Sequence, residues 1–245
     1  MDEKSLVEKK LIDGAKALGI ELNEEQLDLF FRFMRMLQDW NKKVNLTSIT
    51  EDEDIVVKHF LDSLLAARYI QNGGKLLDVG SGGGFPGVPI KILNPLLEVT
   101  LLDSIRKKAE YLKQVDRKLG LDMQLVNMRA EEAGRDVFLR ERYDWVISRA
   151  VADFVILAEF CLPLTKVGGC FLAMKADDIE RELEEAKYAF DLLGGAVEKT
   201  LYEEIPGTNI KRSLVFVKKN QPTPKKYPRR TGIPEKRPLF APKNN

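Results

Sequence analysis

The first seventy residues place apolar side chains at three- and four-residue steps. Leu22, Leu27, Phe30, Phe31, Met34, Leu37 and Trp40 form a stripe that predicts an amphipathic helix. Asn23 with Gln26 three residues on supplies an N-cap pattern. A further helical stretch is predicted over about 55–70, ended by Gln71-Asn72-Gly73-Gly74. From Lys75 the pattern changes. Short β-rich runs at 76–79, 99–102, 123–127, 145–148, 170–175, 197–203 and 214–218 alternate with helical stretches near 87–94, 105–119, 153–162 and 177–192. Strand–helix alternation at this spacing predicts an α/β, doubly wound, mostly parallel seven-stranded sheet covered on both faces. The last two strands are joined through Pro206-Gly207 with no helix between them, which predicts an antiparallel hairpin at the end of the sheet. No internal repeat is visible. Three segments follow: a helical extension over 1–72 packed on the core, a ligand-binding core over 73–219, and a tail over 220–245 that holds six of the eleven prolines and is expected to be loop-like with no core of its own.

Composition narrows the class. A chain of 245 residues with 44% apolar and 31% charged residues is that of an ordinary soluble globular protein. No apolar run approaches the roughly 20 residues of a membrane helix. Met1-Asp2-Glu3-Lys4 has no apolar stretch behind it, so no signal peptide is expected. Cys161 and Cys170 suggest neither a metal site nor a disulfide framework, and point to the reducing cytoplasm. The net charge of +1 hides an asymmetry. Residues 211–245 carry eleven Lys or Arg against Glu235 alone, leaving the other 210 residues at −9. A basic tail on an acidic body points toward a polyanion, although a solvated terminus gives the same pattern.

The densest chemistry lies in Asp78-Val79-Gly80-Ser81-Gly82-Gly83-Gly84-Phe85-Pro86-Gly87, where a short apolar strand ends in an acid and five glycines follow within eight positions. Glycine lets a ligand lie against bare backbone, at about 0.5–1 kcal/mol per residue relative to Ala, so a turn that binds nothing is a poor explanation. In a doubly wound sheet ligands sit beyond the carboxyl ends of the strands. Asp103, 23 residues after Gly80, ends the next strand and can accept both hydroxyls of a ribose. A Walker phosphate loop is excluded, because no Gly-Lys-Ser/Thr follows. Gly82, Gly84 and Gly87 match the dinucleotide pattern, which suggests NAD, but Pro86 interrupts it. S-adenosyl-L-methionine fits better: it has a nucleoside and no phosphate, and Asp78 suits its ammonium group.

These residues resemble the first motif of the bacterial 16S rRNA 7-methylguanosine methyltransferases (the RsmG or GidB family). The likeness extends to Trp40-Asn41 with Asn45-Leu46-Thr47, to His59-Phe60-Leu61-Asp62-Ser63-Leu64, to Leu102-Asp103-Ser104 and to Arg129-Ala130-Glu131-Glu132. It continues through Ser148-Arg149-Ala150-Val151-Ala152, Ala173-Met174-Lys175 and Tyr227-Pro228-Arg229-Arg230-Thr231-Gly232-Ile233-Pro234, so it covers nearly the whole chain. Ala176 departs mildly from a frequent Gly. The resemblance implies a Rossmann-like class I methyltransferase fold, and a monomer is expected. It also implies cofactor contacts from Gly80 and Phe85 in the turn, from Asp103, Ser104 and Ile105, from Ala130 and Glu131 near adenine, and from Arg149; Gly82 is a further candidate in the same turn. The implied reaction moves a methyl group from S-adenosyl-L-methionine to N7 of a guanine, guanine-527 of 16S rRNA by the resemblance. S-adenosyl-L-homocysteine is the product, and no metal is required.

Guanine N7 carries an in-plane lone pair and no proton, so alignment matters more than a general base, and no convincing base is present. A nucleophilic cysteine for 5-methylcytosine chemistry is not suggested by the apolar settings of Cys161 and Cys170. The Asn/Asp-Pro-Pro-aromatic motif of exocyclic-amine enzymes is not matched at Ser148-Arg149-Ala150-Val151. Arg129, Arg149 and Lys175 are candidates to hold the guanine or its phosphates, although an Arg on O6/N7 would block attack there. His59, the one histidine, could contact RNA, cap a turn or fill a buried hydrogen bond. Arg229 and Arg230 belong to a tail expected to act as a flexible arm on phosphates of 16S rRNA or the small-subunit particle. A methyltransferase acting on another substrate, a non-catalytic ribosome- or RNA-binding module that keeps a cofactor pocket, and an NAD oxidoreductase are the alternatives.

Overall fold

The structure, a computed structural model, describes residues 3–70, 73–149, 151–176 and 178–242. Gln71-Asn72 of the expected helix stop, Ala150 of the motif after the fourth strand and Lys243 of the tail lie outside them. Seven strands form one sheet: β1 Lys75–Val79, β2 Glu98–Leu102, β3 Gln124–Val126, β4 Tyr143–Arg149, β5 Thr165–Lys175, β6 Gly195–Glu204 and β7 Lys211–Lys219. Their order is β3-β2-β1-β4-β5-β7-β6. The pairings among β1 to β5 are parallel, whereas β7 runs antiparallel to both β5 and β6. The order reverses between β1 and β4, which sets a crevice at the carboxyl ends of these strands.

Strand alternation divides the core. Leu76, Val99, Leu101, Leu172 and Phe216 belong to one apolar cluster, and Leu77, Leu102, Phe171, Val215 and Val217 to the other. The first face is covered by α1 Glu3–Ala17, α2 Glu24–Asn41, the helical run α3 Asp52–Ile55 to α4 Asp62–Ala67, α5 Gly87–Leu93 and α6 Arg106–Leu119. Over the second lie α7 Ala130–Ala133, α8 Phe154–Cys161 and α9 Glu180–Leu192. The Asn23 carbonyl oxygen of the side chain accepts from Gln26 N at 2.8 Å, and Asn23 N donates back to Gln26 Oε1 at 3.1 Å, completing the expected capping box. On α2 the buried residues are Phe30, Phe33, Met34 and Leu37. Phe33 is absent from the predicted stripe, and Phe31 turns only half inward, because the i, i+3, i+4, i+7 set starting at Phe30 fixes the inner face.

Two departures bear on function. The helix expected over 55–70 widens into a π-helical segment, Val56–Leu61, that contains His59. Such segments occur frequently at functional sites. The tail is bound to the body. Thr223, Tyr227 and Pro228 are buried, Arg135 Nε donates to Pro228 O at 2.8 Å, and α10 Ile233–Lys236 follows. The polar side chains of the body hold its backbone carbonyls, which proline-rich chain leaves unpaired.

Candidate active site

The glycine turn is tied to the neighbouring strand. Gly80 N and Ser81 N both donate to Leu102 O, at 2.9 and 3.1 Å. Gly80 has φ 77°, and a Cβ there would stand 2.7 Å from Val151 Cγ2. Only glycine meets both conditions without strain. Asp78 corrects the sequence reading. It was expected to meet a cofactor ammonium, but it lies fully buried beneath the turn, lining neither hollow described below. Its Oδ2 accepts from Gly87 N at 2.9 Å, while Oδ1 has no partner. Burial raises its pKa from 3.8 to about 7, outweighing the opposite pull of the Gly87 N–H. The first amide of α5, where a dinucleotide fold would place its pyrophosphate, is therefore already held by a carboxylate of the protein. The dinucleotide reading loses its main anchor.

Two hollows open at the carboxyl ends of the strands and share Gly80, Arg149 and Val151. The narrower, about 300 Å³, is lined among others by Asp103, Ser104, Ile105, Ala130 and Glu131. Asp103 Oδ2 accepts from Gly82 N at 2.9 Å and Oδ1 from Ile105 N at 2.8 Å. Each oxygen keeps a lone pair for a hydroxyl. Ile105 is 49% exposed and offers an apolar platform to a base. Glu131 is buried, and its Oε1 accepts from Gly232 N of the tail at 2.8 Å. Arg129 caps α7 and is exposed on the rim.

The wider hollow, about 740 Å³, has the size of a ligand cavity. One wall is a stack: the His59 and Phe85 rings lie 4.3 Å apart at 17°, and the Arg149 guanidinium sits 5.2 Å from the Phe85 centroid. Arg149 Nη1 donates to Asp62 Oδ2 at 2.9 Å, and Arg212 Nε donates to Asp62 Oδ1 at 2.8 Å. Arg149 Nη2 stands 3.1 Å from His59 Nδ1, and Thr47 Oγ1 lies 2.9 Å from His59 Nε2. Nδ1 also lies 3.1 Å from Lys58 O, so it faces the Arg149 donor and a carbonyl acceptor together, and either neutral tautomer keeps both ring nitrogens hydrogen-bonded. Burial, then the Arg149 charge, lowers the His59 pKa from 6.5 to about 3. His59 is thus neutral with both nitrogens occupied, and it serves neither as an acid nor as a base. Lys175 Nζ donates to Ala152 O at 2.9 Å and pairs with Glu182 at 2.7 Å at the same cavity.

The tail residues separate. Arg230 is exposed. Arg229, expected on RNA, turns inward: its backbone N and guanidinium bond Glu159, whose side chain is 0% exposed. A buried carboxylate recruits the nearest cation, and this overrides the exposure that a basic run suggests. Sequence reasoning also missed Asp62, Thr47, Val151, Arg212 and Glu159 as parts of the site or its supports. Asp62 and Thr47 stood in the quoted motifs without a role. Arg212 reaches Asp62 across 150 positions, and nothing in its local sequence marks it. Burial pushes the Cys161 thiol up and the Cys170 thiol to about 12, so neither is a thiolate nucleophile. Among the described residues no group of three or more His, Cys, Asp or Glu is placed to hold a metal ion, and no helix is long and apolar enough to cross a membrane.

Known proteins match this chain along most of its length. The family model for rRNA small subunit methyltransferase G (GidB) matches residues 26–212. The ribosomal RNA small subunit methyltransferase G of Acetivibrio thermocellus is 48% identical over 242 residues, covering 98% of this chain and all of that protein. Its counterpart from Pelotomaculum thermopropionicum is 45% identical over 238 residues, 96% of this chain and all of that protein. Among solved structures, the branched-chain polyamine synthase of Thermus thermophilus superimposes with a TM-score of 0.55 at 11% identity, over 78% of this chain and 64% of its own. A Pyrococcus horikoshii chain gives 0.51 at 16% identity, over 64% and 61%. At such identities the likeness is one of fold.

Proposed function

The chain belongs to the rRNA small subunit methyltransferase G family, and on that premise we propose that it transfers a methyl group from S-adenosyl-L-methionine to N7 of one guanine in 16S rRNA, guanine-527 by the family resemblance. The observation that carries the reading is the pair of hollows meeting at Gly80, Arg149 and Val151. The narrow one suits a nucleoside and the wide one has room for a base brought to the same point.

S-adenosyl-L-methionine, when bound, supplies an electrophilic methyl on its sulfonium. The residues of the chain bind and align. Asp103 offers lone pairs to the ribose hydroxyls, Ile105 and Ala130 flank the adenine, and the bare backbone of the glycine turn leaves space between the two hollows. Guanine N7 needs no deprotonation, and this agrees with a site whose one histidine is locked neutral and whose cysteines are buried thiols. Catalysis then rests on proximity and orientation, worth about 7–11 kcal/mol in favourable cases. The network of Thr47, His59, Arg149, Asp62 and Arg212 holds the wall of the wide hollow rigid. Arg129 and Arg230 meet phosphates, and Lys175 lies deeper beside the base. The protein acts as a monomer in the cytoplasm.

Incubation with labelled S-adenosyl-L-methionine and small-subunit RNA lacking this modification tests the proposal. The expected product is 7-methylguanosine at a single 16S position. Label on cytosine C5 or on an exocyclic amine, or no transfer to naked RNA or small-subunit particles, overturns it.

A further inference from the structure

We propose that the exposed turn at Val137-Phe138, with the Lys225-Lys226 tail bend that Arg140 ties to it, is a second RNA-contact surface that stacks an unpaired base of the small-subunit rRNA away from the catalytic cleft. The proposal rests on the rRNA reading above and deepens it.

Val137 and Phe138 are 72% and 82% exposed. Two adjacent large apolar side chains are thus presented to water at one turn. The turn is held firmly. Asp136 Oδ1 accepts from Phe138 N at 2.7 Å, and Asp136 O accepts from Leu139 N and Arg140 N at 3.2 and 2.9 Å. Arg140 then clamps the turn to the tail: Nη1 donates to Gly134 O and Tyr227 O at 2.7 and 2.8 Å, and Nη2 to Thr223 O at 2.7 Å. Both tail carbonyls bracket Lys225 and Lys226, which lie exposed in a bend closed by Tyr227 N donating to Pro224 O at 2.9 Å. Among the described residues no ion pair engages either lysine; Lys226 Nζ rests 5.3 Å from the Tyr227 ring. An accessible ring fixed on a hydrogen-bonded turn, tied through Arg140 to a tail bend that carries two exposed lysines, fits a base face and its flanking phosphates. Two apolar side chains on one turn give a protein partner little apolar area to bury.

The place of this surface separates it from the chemistry. The cofactor hollows lie at the carboxyl ends of the strands, whereas residues 137–142 lead into the amino end of β4, where Glu141 N and Tyr143 N donate to Pro163 O and Leu164 O. Phe138 therefore contributes to holding RNA and not to methyl transfer.

Binding to naked 16S rRNA and to small-subunit particles, with methyl-transfer kinetics, tests this on the full chain. Phe138→Ala is expected to weaken binding to both RNA forms by roughly 5- to 100-fold, the share of one stacked base. KM should rise while kcat at saturating RNA, S-adenosyl-L-methionine affinity and melting temperature stay unchanged. Phe138→Trp should retain binding, and Phe138→Leu should resemble the alanine variant. Lys225→Gln with Lys226→Gln should reduce the salt slope by about 1.4. Wild-type affinity in Phe138→Ala, equal binding by the leucine variant, or a loss confined to the particle, which would mark a ribosomal-protein contact, each overturns the surface alone. A wild-type protein that neither binds nor methylates the RNA overturns the functional reading as well.

Discussion

Replacing Arg229 separates an RNA-contact role from a structural one. Glu159 has a fully buried side chain, and within the described structure its oxygens accept from Arg229 N at 2.6 Å, Nε at 3.0 Å and Nη2 at 2.6 Å. Arg229→Ala removes the guanidinium and leaves a carboxylate in an apolar setting with one backbone donor. Breaking a buried ion pair on one side costs about 3–5 kcal/mol. For a chain of this size each kcal/mol shifts the melting temperature by about 2–4 °C, so a drop of roughly 6–20 °C is expected. Undocking of the tail gives Glu159 a way back to water, so part of the loss should emerge as faster proteolysis within residues 220–242. Because Gly232 N bonds Glu131 at the nucleoside hollow, a loosened tail should also weaken S-adenosyl-L-methionine binding in calorimetry. Glu159→Met combined with Arg229→Met should recover most of the stability, since a buried pair replaced by apolar side chains of similar volume is close to neutral. A melting temperature within about 2 °C of wild type for Arg229→Ala, together with weaker RNA binding, would refute the reasoning and return Arg229 to the RNA surface.

Three further outcomes follow from the site. His59 should show a neutral ring by ¹⁵N nuclear magnetic resonance and no titration between pH 5 and 8; because its folded pKa is depressed from 6.5 to about 3, its contribution to stability is present above about pH 6.5 and declines toward pH 3, and a midpoint near 6.5 in the folded protein refutes the locked network. Asp78 has a folded pKa raised from 3.8 to about 7, so its contribution is complete below about pH 4 and is lost as pH rises to 7; denaturant melts of the cofactor-free protein should show Asp78→Asn gaining on wild type across that window, and a pH-independent difference refutes the assignment. Gly80→Ala places a side chain at φ 77° with its Cβ 2.7 Å from Val151 Cγ2; a cost of about 1–2 kcal/mol in stability and cofactor binding weaker by roughly tenfold should appear in melts and calorimetry, and wild-type values in both would show that the turn relaxes freely.

Local patterning identified the seven strands and the four helices between them, because a half-buried strand and an amphipathic helix each write their burial into local spacing, and the Pro206-Gly207 connection marked the closing hairpin. The glycine turn and Asp103 were legible for the same reason: the conformations they require restrict residue type at the position itself. Phe33 and the π-helical segment around His59 were not, since both depend on how one helix seats against its neighbours. The same holds for the pairings. Nothing near Arg212 or Arg229 distinguishes an arginine that reaches a buried carboxylate from one that waits for phosphate, and nothing near Asp78 shows that its carboxylate closes the first turn of α5 instead of facing a ligand.

The chain by itself thus determined which segments become strands and helices, where backbone must be bare, and which acid stands at the end of the second strand beside the glycine turn. The tertiary structure decided which charges are already neutralised inside the protein and which remain for a partner. The physical reason is that burial of a charge is set by residues distant in sequence, and a buried charge binds its counterion within the fold.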